Sequence, residues 1–146
     1  MYFRGMSDFK LKGFFNFRPR YSETDQMGVV YYGNYATYFE VGRVELLREL
    51  GMSYAEMEKA GTMLPVVHLS TDFKAGANYD EELTLETSIL EMPTRKISFY
   101  HELKNKEGKT LVTGTVVLVF VDTKTFKPKQ CPEDFKQLLV KASSAQ

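Results

Sequence analysis

Apolar residues recur along this chain with two different periods, and the change between them separates a helical front half from a sheet-forming back half. Tyr35, Tyr38, Phe39, Leu46, Leu47 and Leu50 fall at three- and four-residue spacing with Gly42 in the same stripe, while Glu40, Arg43, Glu45, Arg48 and Glu49 take the other side. That spacing predicts about four turns of helix with one buried face. Gly33 and Asn34 suit its start, and Arg48 with Gly51 suits its stop, because glycine readily turns left-handed just past a helix end. Gly42 within the buried stripe would let another backbone approach closely. Ser53, with Glu56 three residues on, predicts the N-cap of a short second helix that Gly61 closes.

From Pro65 the period falls to two. Val67, Leu69, Thr71 and Phe73 alternate with His68, Ser70, Asp72 and Lys74, and the alternation returns in Leu83, Leu85, Thr87 and Ile89 and again in Ile97, Phe99, His101 and Leu103. After the turn at Asn105-Lys106-Glu107-Gly108-Lys109, the run Leu111 to Val121 is apolar on both faces for much of its length, which places it in the middle of a sheet. Phe14 to Tyr21 predicts a first strand with Phe15 and Phe17 on one face and Pro19 near its end. A closing helix is expected from Pro132 to about Ala142. The order is strand, long helix, short helix, four strands in an antiparallel meander, then helix, an α+β plan. One helix over a long curved sheet leaves the opposite sheet face partly apolar, so at least a homodimer is expected.

Composition narrows the class. At 146 residues with no Pro/Ser/Gly-rich linker the chain reads as one domain, taken as residues 13–142 between an N-terminal extension, 1–12, and a tail, 143–146. Met6 is a second plausible start. Nineteen basic residues balance nineteen acidic ones, so bulk charge points to neither nucleic acid nor an anionic membrane. The single cysteine, Cys131, rules out an internal disulfide, and with only His68 and His101 beside it there are too few soft ligands for a zinc site. No metal or other cofactor is called for. No apolar run approaches the roughly 18 residues of a membrane span, and the first dozen residues lack the apolar middle of a signal peptide, which favours the cytoplasm.

Candidate chemistry collects in front of the long helix. The chain has no G-x-S-x-G elbow, phosphate loop or dinucleotide fingerprint, and Cys131, next to Pro132 near the end of the fold, reads as a loop thiol. His68 and His101 lie on strands with no neighbouring Ser or Cys and read as structural. Tyr21 to Tyr35 remains, with Asp25 in an acidic turn and Gly28 and Gly33 ahead of the helix. Thr24 and Asp25 can simply satisfy backbone donors of a turn. Alternatively, Asp25 sits beside the unpaired N–H groups of a helix N-terminus and does chemistry there. A carboxylate with no general acid suits a leaving group such as a thiolate, whose thiol pKa is about 8.5.

The segment Asp25-Gln26-Met27-Gly28-Val29-Val30-Tyr31-Tyr32-Gly33-Asn34-Tyr35, followed by Phe39-Glu40 and Arg43, resembles the signature of hotdog-fold acyl-CoA thioesterases, the 4-hydroxybenzoyl-CoA thioesterase and YbgC-like family. Leu64-Pro65-Val66-Val67, Asn78 to Leu83, Arg95 to Phe99 and Asp122 to Thr125 extend the resemblance over roughly residues 15–132. It implies a hotdog fold, a long central helix wrapped by a curved antiparallel sheet of five to six strands. It also implies that Asp25 is the catalytic carboxylate, as nucleophile or as general base on water, and that the Tyr32 backbone N–H polarises the thioester carbonyl. Gly28, Val30, Tyr31, Asn34 and Tyr35 become substrate-side residues, although aromatic residues at such spacing also suit a core and Asn34 equally suits a cap. Arg95 and Lys96 are candidates for the phosphates of coenzyme A, which is part of the substrate. Glu40 and Arg43, three apart, suit a pair across one helix turn, with a part in the dimer's active site as the other option. The expected assembly is a homodimer at least, with a homotetramer built as a dimer of dimers. Many YbgC-like members carry His where this chain has Tyr32, a feature shared with the aromatic-thioesterase branch, so the acyl group stays open, as does acyl-carrier protein as carrier. An enoyl-thioester hydratase or a non-catalytic acyl-thioester binding module are the competing readings.

Overall fold

The computed structural model describes residues 9–146. The chain runs β1 (Leu11–Phe17), a 3-10 turn (Tyr21–Glu23), α1 (Asn34–Glu49), α2 (Tyr54–Lys59), β2 (Thr62–Met63), β3 (Val66–Phe73), β4 (Leu83–Ile89), β5 (Lys96–Asn105), β6 (Thr110–Val119), β7 (Val121–Asp122) and α3 (Glu133–Ala145). Five strands form one antiparallel sheet in the order β1-β4-β5-β6-β3, and β2 pairs with β7 beside it. Tyr35, Tyr38, Phe39, Leu46 and Leu47 of α1 are buried against Leu85, Phe99, Leu103 and Val116 of the sheet. The helical stripe read from the sequence is therefore the core face.

Gly42 is where α1 and the sheet meet most closely. A Cβ added there would lie 2.5 Å from Thr87 Oγ1 and 2.6 Å from Leu85 Cδ2, so only glycine fits. Beneath α1, His101 is fully buried, stacks on Phe39 with ring centroids 4.5 Å apart, and bonds Thr87 Oγ1 through Nδ1 at 2.9 Å. Burial first, and then the nearby Arg43 charge, push the imidazole pKa down to about 3, so His101 is a neutral core residue. The Ser53 cap forms as expected, its Oγ accepting the Glu56 N–H at 3.1 Å, and Gly51 and Gly61 both take positive φ, 83° and 101°.

Three expectations change. The four later strands are not a simple meander: β4, β5 and β6 are, but β3 pairs with β6 at the far edge, and residues 74–82 carry the chain back across to β4. Alternation within a strand says which face a residue takes and nothing of its neighbour strand, so the crossover left no mark in the sequence. The domain also reaches further than 13–142. Phe9 and Leu11 lie in the core, and the Gln146 side chain closes two hydrogen bonds with the Lys12 backbone, at 3.0 and 2.8 Å, so the C-terminal tail is fastened to β1. The rest of the expected extension, residues 1–8, lies outside the described residues. Finally, the sheet face away from α1 is less apolar than expected: beside the exposed Phe14 it carries an ion-pair ladder, Lys12–Glu86 at 3.1 Å and Lys104–Glu86 at 2.8 Å. Exposed apolar side chains line edge strand β3 instead, with Val66, Val67, Leu69 and Phe73 each 46–58% exposed.

Candidate active site at the start of helix α1

Residues 24–30 form a small hairpin immediately before α1. The Asp25 N–H donates to Val29 O at 2.9 Å and the Gly28 N–H returns to Asp25 O at 3.0 Å. Gly28 closes this turn with φ 81°, a conformation that a β-carbon would strain. Val30 then donates its N–H to Ala77 O at 2.8 Å, which fixes the hairpin to the crossover between β3 and β4. The predicted turn and the predicted glycine role are both present.

Asp25 is half-buried. Its Oδ1 accepts the Met27 N–H at 2.9 Å, the turn bond anticipated from the sequence, while Oδ2 has no hydrogen-bond partner among the described residues. The carboxylate opens onto a cleft of about 300 Å³ whose walls include Tyr32, Tyr35, Phe73, Lys74 and Gly76. Tyr32 and Tyr35 both pack on Phe73, with centroid separations of 6.3 and 5.7 Å. Val30 is buried and forms part of the floor, whereas Tyr31 is half-exposed and rests on the Tyr32 ring at 4.7 Å.

The backbone entering the helix is selectively satisfied. Tyr31 donates its N–H to Glu23 O at 2.9 Å, Asn34 to Tyr31 O and Tyr35 to Tyr32 O. Between them, the N–H groups of Tyr32 and Gly33 find no acceptor among the described residues, and Tyr32 borders the cleft that holds Asp25. Asp25 thus lines one cleft with Tyr32, a residue whose N–H has no acceptor among the described residues, the kind of donor that a polarised carbonyl requires.

Glu23, which sequence reasoning passed over, holds this arrangement together. Its carbonyl also accepts Asn34 Nδ2 at 2.8 Å, so Asn34 ties the hairpin to α1 instead of capping the helix. The Glu23 carboxylate accepts the Tyr38 hydroxyl at 3.0 Å and the Arg20 backbone N–H at 2.7 Å. Burial alone would raise the Glu23 pKa, but the bonds from Arg20 and Tyr38 outweigh it and hold the carboxyl below its ordinary range. The only sequence signal was an acid beside a Thr-Asp turn, because its partners arrive from α1 and the preceding loop.

Other predicted residues lie elsewhere. Lys96 pairs with Val119 at one end of β6, whereas Phe73 of the cleft pairs with Val112, seven residues or about 23 Å further along that strand, so Arg95 and Lys96 lie at the other end of the sheet from the Phe73 wall of the cleft. Glu40 and Arg43 do not pair across their helix turn; neither enters any ion pair among the described residues. His68 sits on the β3 edge and Cys131 is buried, its thiol pushed up to about 11 by burial, so neither offers a nucleophile or base to the cleft. Among the described residues no helix is long and apolar enough to cross a membrane.

A long helix held against a curved antiparallel sheet, with a carboxylate at its N-terminus, defines a class, and similarity to known proteins specifies it. The profile of the Thioesterase-like superfamily matches residues 19–139. The chain is 37% identical over 116 residues to YneP of Bacillus subtilis, named as a candidate acyl-CoA thioesterase, covering 80% of this chain and 84% of that protein. It is 30% identical over 124 residues to the acyl-CoA thioester hydrolase YbgC of Escherichia coli, covering 82% and 92%. Among solved structures, the DHNA-CoA thioesterase from Staphylococcus aureus superposes with a TM-score of 0.83 at 34% identity, covering 91% of each chain. This chain belongs to the thioesterase-like superfamily and is a thioester hydrolase of the hotdog fold.

Proposed function

We propose that the protein hydrolyses acyl-CoA thioesters with Asp25 as its catalytic carboxylate, and the observation that carries this reading is that Asp25 lines one cleft with Tyr32, whose N–H has no acceptor among the described residues. The thioester carbonyl accepts from the helix-terminal donors, which stabilise the charge that develops on oxygen as the carbon becomes tetrahedral. Asp25 either attacks that carbon or draws a proton from an attacking water, through the Oδ2 that the hairpin leaves free. The carbon–sulfur bond then breaks and the coenzyme leaves as thiolate, for which the cleft needs no general acid; where Asp25 itself has attacked, water then cleaves the acyl–Asp25 anhydride, releasing the acid and restoring the carboxylate. The Tyr32, Tyr35 and Phe73 rings give the acyl group an aromatic wall. This chemistry calls on no cofactor, and a cytoplasmic enzyme suits a cytoplasmic thioester.

The working unit is a homodimer. β3 is an edge strand with unpaired backbone groups and an exposed apolar row, a surface that another copy of the same strand can cover. In an antiparallel β3–β3 contact the Val66 end of one strand meets the Phe73 end of the other. The partner's Arg95 and the partner's Lys96, remote from Asp25 within one subunit, are then carried toward the cleft mouth, where the phosphates of coenzyme A would lie. A tetramer would bring two such dimers together through another surface.

A hydratase is less well supported, because it needs a base with an acid over the acyl chain and neither histidine faces the cleft. The test is a panel of acyl-CoA and acyl-carrier-protein thioesters assayed for both thiol release and enoyl hydration. Thiol release on at least one acyl-CoA supports the proposal; hydration of a crotonyl thioester without thiol release, or tight binding with no turnover on any ester, contradicts it.

A further inference from the structure

The open flank of α1 holds a cation that its own subunit does not neutralise. Arg43 is only 6% exposed, yet its guanidinium donates no hydrogen bond among the described residues, and Nε is orphaned in the interior. The Tyr54 hydroxyl beside it is also buried and makes no hydrogen bond of good geometry, the Arg43 guanidinium being the polar group next to it. Both line a groove of about 310 Å³ between α1, α2 and the Val66 end of β3, and Glu40, exposed and equally unpaired, lines it with them. The groove continues along β3 past Ala36, Thr37 and Leu69. A buried guanidinium Nε with no acceptor is costly, and an acceptor arriving across the groove would relieve that cost.

Symmetry identifies that acceptor. An isologous dimer through β3 has its two-fold axis near the middle of the strand, and Leu69, at that middle, shares its stretch of groove with Glu40 and Arg43. Any contact from Glu40 to the partner's Arg43 is then returned from the partner's Glu40 to Arg43. Ala36 and Thr37 are small enough to let the two α1 helices close on each other. A small free anion would meet the Glu40 and Glu58 charges without the apolar β3 contact that a second subunit brings with its carboxylate. We propose that Glu40 and Arg43 form reciprocal ion pairs across the dimer axis, each carboxylate also receiving the Tyr54 hydroxyl of the facing subunit, so that this ion-pair lock fixes the register in which β3 meets β3.

The inference rests on the homodimer proposed above, and one experiment separates their failures. Sedimentation equilibrium is run on wild type, Glu40→Arg, Arg43→Glu and an equimolar mixture of the two variants, with Glu40→Gln and Arg43→Gln as milder controls whose folding is checked by circular dichroism. In each charge-reversed homodimer the facing charges are alike, so the dimer dissociation constant is expected to rise on the order of 100-fold. In the mixture, arginines at 40 and 43 on one chain face glutamates at 40 and 43 on the other, and heterodimers are expected to return to within about tenfold of wild type. Should Arg43→Glu not fold, Glu40→Gln and Arg43→Gln are each expected to weaken the dimer by at least tenfold. Wild-type dimers with Glu40→Arg equally tight, or no heterodimer from folded variants, overturn the ion pairs and leave the β3 dimer standing. A wild-type monomer at tens of micromolar overturns both.

Discussion

The Tyr32 side chain and backbone have separable roles. Its ring packs on Phe73 and Tyr31, while its N–H has no acceptor among the described residues and, in the proposed chemistry, serves the substrate carbonyl. Tyr32→Phe should therefore keep near wild-type turnover, whereas Tyr32→Pro, which deletes the N–H, should lower kcat by about 10² to 10³. Steady-state thiol release on the two variants checks this, and equal activities would contradict the donor role. Tyr38→Phe removes the hydroxyl that Glu23 accepts; it should cost about 1.5 kcal/mol in denaturant unfolding, the low end for a bond to a charged group, because Glu23 keeps its Arg20 contacts. His101 gives the fold a pH dependence with a definite sign. Folded, it stays neutral down to about 3, whereas unfolded it titrates near about 6.5. Between these values the unfolded chain binds a proton that the folded chain does not, so stability should fall by about 1.4 kcal/mol for each pH unit below 6.5 and be flat above it. Urea titrations between pH 7 and 4.5 should show that slope in wild type and its loss in His101→Gln. Asp25 was legible from sequence because its turn and glycine are local; Glu23 and Tyr38 were not, because they meet only after α1 packs.

At the scale of elements, periodicity delivered α1 almost to the residue, and Gly42 marked the contact between helix and sheet before either was seen. Gly42→Ala should lower stability by about 1 to 3 kcal/mol, since its Cβ would intrude on Thr87 and Leu85 and both lie on a paired strand with little freedom to yield. A melting curve unchanged by that substitution would mean that α1 sits further from the sheet. The strand pattern was equally clear, but β3 hid two facts. A register shift between Val66 and His68 breaks the simple alternation, so Val66 and Leu69 both border grooves on the helix side. The crossover through residues 74–82 then moves the chain from one side of the sheet to the other, and that same segment supplies Gly76 and Ala77 to the site. Pairing order depends on which strand edges remain free, a tertiary matter that a period of two does not encode.

Taken whole, the subunit presents features that make sense in pairs: an apolar edge strand, an Arg43 whose buried Nε has no acceptor among the described residues, and Arg95 and Lys96 at the opposite end of the sheet from the Phe73 wall of the cleft. The sequence pointed to a second subunit on the outer sheet face, and the Lys12–Glu86–Lys104 ladder there, which alternation could not show, is what turns the dimer proposal toward edge strand β3. At the centre of the proposed chemistry is the hairpin before α1, which sets the Asp25 carboxylate in one cleft with Tyr32 at the start of the helix. Asp25→Asn keeps the size of that side chain and the Oδ1 that accepts the Met27 N–H, and removes only the charge. The decisive measurement is thiol release from a good acyl-CoA by Asp25→Asn that melts and sediments like wild type: the account predicts a loss of kcat of at least about 10³, a barrier increase near 4 kcal/mol, and a variant turning over at the native rate would contradict it.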